Sequence, residues 1–204
     1  MTRPPKTAVQ IQEMKDRILD TALGILEDQG HQAITSRAIA EKMGVAHMSL
    51  FTYFTNQAAI LRVLRERELS KWRTRALSFI QSTDSTTISE VVERYLRSYI
   101  DFAREHPELY KLAWVMPELG IESAEESLQR MRSNVEQLAG LLHRGIGSGV
   151  FAPRDPAVTA GTALAMVNTP YTLFHSGKLV DPVMRDHMAE EVLSIIMNYL
   201  IQKN

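Results

Sequence analysis

Residues able to do covalent or acid–base chemistry are sparse and scattered in this 204-residue sequence. There is no cysteine, which removes disulfides, thiolate nucleophiles and cysteine metal sites together. The six histidines show no ligand spacing with one another. His106 precedes a proline at an expected helix end. His143 falls in the last turn of another helix, where a partial positive charge is mildly favoured. "GIGSG" (Gly145–Gly149) carries phosphate-loop glycines, but no strand precedes it and no Lys-Ser/Thr follows, so it reads as a helix stop and turn. No nucleophile elbow or carboxylate pair is identifiable. The expectation is a protein without enzymatic activity, cofactor or metal.

Chemistry of another kind is carried by "GVAHMSLFTYFTNQ" (Gly44–Gln57) and the segment before it. A helix-turn-helix needs a small residue where its two helices cross, and Ala40 supplies one. The turn needs a residue that tolerates positive φ, and Gly44 follows Ala40 by one helical turn. Ile39, Val45 and Leu50 are the apolar anchors. Ala46, His47, Ser49 and Thr52 then point away from the core, toward a major groove when one is present. An ordinary hairpin in a helical core satisfies the same spacing. The stretch contains no Lys or Arg with which to hold phosphates.

The elements that must position these residues read as helices throughout. Ile11, Met14, Ile18, Ala22 and Ile25 share one helical face, and Gly30 is a stop. Thr35 N-caps a second helix through about Lys42, and a third runs to about Tyr53. Asn56 caps a long fourth, on which Ile60, Leu61, Leu64, Trp72, Leu77 and Ile80 keep helical spacing. "STDSTT" (Ser82–Thr87) breaks it. Further helices cover Ile88–Glu105, the short "ELYKLAWVM" ending at Pro117, about Glu122–Arg144, Pro156–His175 and Pro182–Ile201, with "GIGSGVFAPRDP" as a loop. The prediction is an all-α chain of about nine helices, divided into 1–56 and 57–204.

Composition agrees. Hydrophobic residues make up 45%, enough for a core, and the formal net charge is −1. Residues 1–75 carry 12 Lys and Arg against 8 Asp and Glu, while the remainder carries 11 against 16. A basic head on an acidic body suits a polyanion-binding N-terminal part. No apolar run follows the charged start "MTRPPKTAVQ", and no stretch reaches the length of a membrane span. No membrane association is expected, and a reducing cytoplasm is the expected setting.

"RILDTALGILEDQGHQAITSRAIAEKMGVAHMSLFTYFTNQAAIL" resembles the DNA-binding segment of the TetR (tetracycline-repressor-like) family, with the likeness covering about residues 11–64. The resemblance implies a homodimeric, ligand-responsive transcriptional regulator, a repressor that binds a palindromic double-stranded DNA operator and is released by a small apolar effector. It implies DNA-binding roles for Thr35, Ser36 and Arg37 at the supporting helix and for Ala46, His47, Met48, Ser49 and Thr52 on the recognition helix. Phe51, Tyr53 and Gln57 fall where the family has residues at, or packed beneath, the phosphate backbone. Three positions depart. The family usually has Ser or Thr at Ala46, where losing the hydroxyl cap costs about 1 kcal/mol. It usually has Tyr at Phe51 and Lys at Gln57, both phosphate contacts. Arg3 and Lys6, on the "TRPPK" arm, offer compensation.

By the same resemblance, the C-terminal body is an effector-binding and dimerisation domain. Tyr95, Tyr99, Phe102, Tyr110, Trp114 and Met116 cluster in order on two expected helices. Met166, Asn168, Tyr171, Phe174 and His175 recur on the eighth. An apolar pocket with a few polar groups is the usual small-molecule site, although each residue also suits a core. Asn168 lies in the apolar run "ALAMVNTPYTLF", where its amide needs a partner: a ligand, Thr172 or a backbone carbonyl. Pro170 is expected to kink that helix. The small residues of "AVTAGTALAMV" and the apolar Val192, Ile195, Ile196, Tyr199 and Leu200 give the last two helices the look of a dimer interface. The second reading is a helical ligand-binding protein that has weakened or lost DNA binding.

Overall fold

A computed structural model describes residues 7–81, 87–116 and 123–202. The arm with Arg3 and Lys6, the break at 82–86, Pro117 and Glu122 lie outside the described residues, as does the side chain of Ile80. Among the described residues every regular element is helical: α1 (Ala8–Gln29), α2 (Ser36–Met43), α3 (Gln57–Gln81), α4 (Ile88–Glu105), α5 (Pro107–Tyr110), α6 (Ala124–Gly147), α7 (Pro156–His175) and α8 (Pro182–Ile201). The all-α class is as the periodicities indicate.

Local chemistry sets most helix ends. Thr7 and Gln10 form a capping box on α1, and Ser123 and Glu126 form one on α6. Gly30 ends α1 at φ 81°. Asn56 Oδ1 accepts from the Ala59 amide (2.8 Å) to start α3. Asp155 and Asp181 cap α7 and α8, each followed by proline at the first helical position. Helix α7 continues through Pro170 to His175.

The helices form two compact units. The first contains the chain as far as Leu69 together with the segment from His106, so α1, α2, the first part of α3 and α5 belong together. Its core includes Ile18, Ala22, Leu26, Ile39, Leu50 and Leu64, all at most 2% exposed. Helix α1 protrudes beyond this core: Ile11, expected on the apolar face, is exposed. The second unit takes the rest of α3 from Ser70, then α4, α6, α7 and α8. Val92, Leu96, Ile100, Leu138, Val167 and Ile196 are buried in it.

Two elements differ from expectation for identifiable reasons. "ELYKLAWVM" is one α turn followed by a π-helical turn over Lys111–Val115, not a single short helix. Helix α6 runs past Arg144 to Gly147 and absorbs the start of the expected loop. The chain reverses at Gly149 (φ 73°) instead. The amides of Val150 and Phe151 both donate to the Gly145 carbonyl (2.9 and 3.0 Å), which folds the Phe151 ring back over Gly145. A Cβ at Gly145 would lie inside that ring's van der Waals envelope. This glycine therefore permits a close approach and does not end the helix.

Gly145→Ala is expected to destabilise the protein by about 1–3 kcal/mol through overpacking. Gly147→Ala, where a Cβ meets open space, is expected to be neutral or stabilising by up to about 1 kcal/mol. Urea unfolding of the two variants checks the contrast.

Candidate DNA-reading surface and effector site

The helix-turn-helix is built from one cap, one glycine and two buried anchors. Thr35 Oγ1 accepts from the Ala38 amide (3.0 Å) and starts α2. Gly44 ends it in the left-handed region at φ 67°, ψ 33°. The Val45 amide closes the turn onto the Ala40 carbonyl (3.0 Å). The recognition segment His47–Thr52 is then a 3-10 helix, a tighter winding than the α-helical turns around it. Leu50 points inward, and Val45 is half-buried.

Ala46 occupies the N-cap of that segment, and no side chain caps it. Its carbonyl instead accepts from the Ser49 hydroxyl (2.6 Å) and the Ser49 amide (2.9 Å). Ala46, His47, Met48, Phe51 and Thr52 are exposed, with Met48 at 65% and Phe51 at 44%. His47 and Phe51 meet edge to face at 5.9 Å. The outer surface of the segment is thus largely apolar, and it carries no Lys, Arg, Asp or Glu. Arg37 and Gln57 are exposed beside it, Ser36 is half-buried, and Tyr53 is buried at 9% exposure. Lys42 pairs with Asp28 at 3.6 Å on the surface, where such a pair contributes little.

In the same unit, α5 packs on α1. His106 Nδ1 lies 3.8 Å from Glu27 Oε1, and Lys111 pairs with Glu108. Tyr110 and Trp114 stack here at 5.0 Å. These two candidate ligand residues therefore belong to the first unit, whereas Tyr95, Tyr99, Phe102, Met166, Asn168, Tyr171 and Phe174 belong to the second.

Within the second unit the candidates fall into two groups. On α3 and α4, the Trp72 ring meets Tyr99 edge-on at 4.7 Å and Phe102 at 5.3 Å, and its N–H donates to the Ser98 carbonyl (3.1 Å). The Tyr95 hydroxyl donates to Gln137 Oε1 on α6 (3.3 Å) and lies 3.3 Å from the Tyr99 hydroxyl. With the Tyr95 proton so committed, Tyr99 donates to Tyr95. Burial pushes both tyrosines above the ordinary value, Tyr99 well above it, against the opposing pull of Arg73 and, for Tyr99, Arg130. Both hydroxyls stay protonated at neutral pH. Trp72 stood out in the sequence only as a helix-face residue. Gln137 and Asn134 gave no signal, because single amides on a polar helix look like surface.

In the second group, Tyr171 and Phe174 meet α8. The Tyr171 hydroxyl donates to Asp186 Oδ1 (3.1 Å), and Arg185 lies 4.5 Å over the Phe174 ring. Arg185 also makes two bonds to Asp186 (2.9 and 3.0 Å). The Asn168 amide donates to the Leu164 carbonyl (2.8 Å), the simpler of the partners weighed for it. Met166 is half-buried. Among the described residues, no cluster of His, Asp or Glu could hold a metal ion, and no helix is long and apolar enough to cross a membrane.

A helix-turn-helix head followed by a body that is helical among the described residues defines a class of DNA-binding regulators. The model "Bacterial regulatory proteins, tetR family" matches residues 18–64, and "Tetracyclin repressor-like, C-terminal domain" matches residues 85–192, over half the chain. The chain belongs to the TetR family. YhgD, an uncharacterised HTH-type transcriptional regulator of Bacillus subtilis (strain 168), is 25% identical over 155 residues, 76% of this chain and 80% of its own. A TetR-family regulator from Pectobacterium atrosepticum shares the fold with a TM-score of 0.75 at 16% identity, over 98% of this chain and 100% of that one. The regulator FadR from Bacillus subtilis, solved in complex with stearoyl-CoA, has a TM-score of 0.68 at 17% identity, over 91% and 98%. The protein is a transcriptional regulator and not an enzyme.

Two variants test this geometry. Ala46→Ser supplies the missing cap acceptor and is expected to stabilise the head by about 0.5–1 kcal/mol in urea unfolding. Tyr99 holds its proton beyond the ordinary tyrosine value of 10.0, so its contribution to stability is complete below that pH. The contribution is lost as pH rises through the higher folded-state value. Melting temperatures between about pH 8 and 11 are expected to fall less steeply for Tyr99→Phe than for the wild type.

Proposed function

We propose that the protein is a homodimeric repressor that reads a palindromic operator with Ala46–Thr52 and leaves it when a small apolar effector binds the helical body. In this reading residues 1–56 bind DNA and 57–204 bind the effector and form the dimer. The observation that carries it is the Gly44 turn, which leaves Ala46, His47, Met48 and Phe51 exposed on a segment anchored by Leu50. Thr35, Ser36 and Arg37 support it at the α2 start, Ser49 and Thr52 belong to the reading segment, and Tyr53 and Gln57 stand at its far end.

The last two helices support the dimer. Leu193, Ile196 and Leu200 pack inside their own unit, while Val158, Val183, Met184, Ile195 and Tyr199 are exposed. An apolar face of this kind on a helix already anchored on its other side suits a partner subunit. Chain connectivity supports the switch. Helix α4 carries Tyr95, Tyr99 and Phe102, and the residues directly after it enter the head as α5. An effector shifts operator affinity only insofar as it binds the DNA-competent and free states unequally. The complex of FadR with stearoyl-CoA supports a body of this fold as a small-molecule binder.

One observation favours the second reading, a helical ligand-binding protein with weakened DNA affinity. No Lys or Arg lies between Gly44 and Gln57. Anisotropy titrations on DNA flanking the protein's own gene, across a salt series, separate the two. The repressor reading expects sequence-selective binding, and its absence even at low salt would overturn it. Gln57→Lys is expected to tighten binding to all sequences and to steepen the slope of log K against log salt by about 0.9 per subunit. Ile195→Asp is expected to yield monomers in sedimentation velocity.

A further inference from the structure

Asn134 lies on α6 with 8% of its surface exposed. Its Oδ1 is sealed from solvent and accepts no hydrogen bond. A buried amide oxygen left without a donor destabilises the protein that carries it, so its presence here asks for a function. Its place on the helix points to one. Gln137 follows Asn134 by three residues and Arg130 precedes it by four, so the three share a face. Gln137 receives the Tyr95 hydroxyl from α4. Arg130 acts on Tyr99, one turn further along α4. Asn134 therefore lies on the face of α6 that meets the tyrosine pair through Gln137.

We propose that Asn134 is the polar anchor of the effector site, accepting a hydrogen bond from the O–H or N–H of an uncharged ligand whose apolar body lies against Trp72, Tyr99 and Phe102. The proposal rests on the effector-site reading above and adds the chemical class. A carboxylate would bring acceptor against acceptor at Asn134 Oδ1, with the two tyrosine protons already committed. A cation would enter the field of Arg73 and Arg130, which already acts on Tyr99. A neutral hydroxyl or amide donor meets neither obstacle.

The test uses the full chain and two probes that differ only in the donor, 4-butylphenol and its methyl ether 4-butylanisole, titrated calorimetrically. The wild type is expected to bind the phenol about ten-fold or more tightly than the ether. Asn134→Leu is expected to bring the two affinities within about two-fold, mainly by weakening the phenol, and to raise the melting temperature of the unliganded protein. Equal affinities in the wild type, or a phenol preference that survives Asn134→Leu, would overturn the anchor while leaving the site in place. Saturable binding of neither probe would overturn the effector-site reading and the anchor with it. The wild-type comparison decides even where the variant fails to fold.

Discussion

The indole of Trp72 is the joint on which the second unit depends. It lies edge-on to Tyr99 and tilted against Phe102, and its N–H is tied to the Ser98 carbonyl. One side chain thereby fixes both the spacing and the rotation of α3 against α4, because a ring contact restricts distance and a hydrogen bond restricts direction. Tyr99, held by Trp72, reaches Tyr95, and Tyr95 reaches Gln137 on α6. Three helices are thus connected through a chain of aromatic contacts and hydroxyl bonds. Such a network is stiff where it is satisfied and exposed to perturbation where it is not. Asn134 stands at the place where it is not.

The head follows a different logic. Its geometry depends on backbone conformation at Gly44 and on the cap at Thr35, with side-chain packing from Ile39 and Leu50 holding the product in place. Backbone-determined motifs leave their outer surface open to variation. Here that surface carries Phe51 and Gln57 at the positions where the family resemblance implies a hydroxylic and a cationic side chain. The scaffold and its chemistry can therefore change independently.

Much of this architecture was legible in the sequence, and the reason is local. Gly30, Thr35, Gly44, Asn56, Pro156 and Pro182 act on the few residues beside them, so their effect can be read without knowing the fold. The extents of α7 and α8 follow directly from that punctuation. What was not legible depends on residues far apart in the chain. Gly145 looks like a helix stop until the Phe151 ring is seen above it. Gln137 and Asn134 look like surface amides until α4 is packed against them. Tyr110 and Trp114 looked continuous with Tyr95 and Tyr99, yet they fall in the other unit because α5 packs on α1.

That last arrangement has a consequence for synthesis. The ribosome delivers α1, α2 and the recognition segment first, but the layer that α5 places on α1 emerges only after α3 and α4 have been made. Domains generally form as units as the chain appears, and this head is not a unit until the chain has passed Val115. Until then the flank of α1 that meets α5 stays uncovered. A nascent regulator therefore completes its head only once α4, the first whole helix of the second unit, has been made.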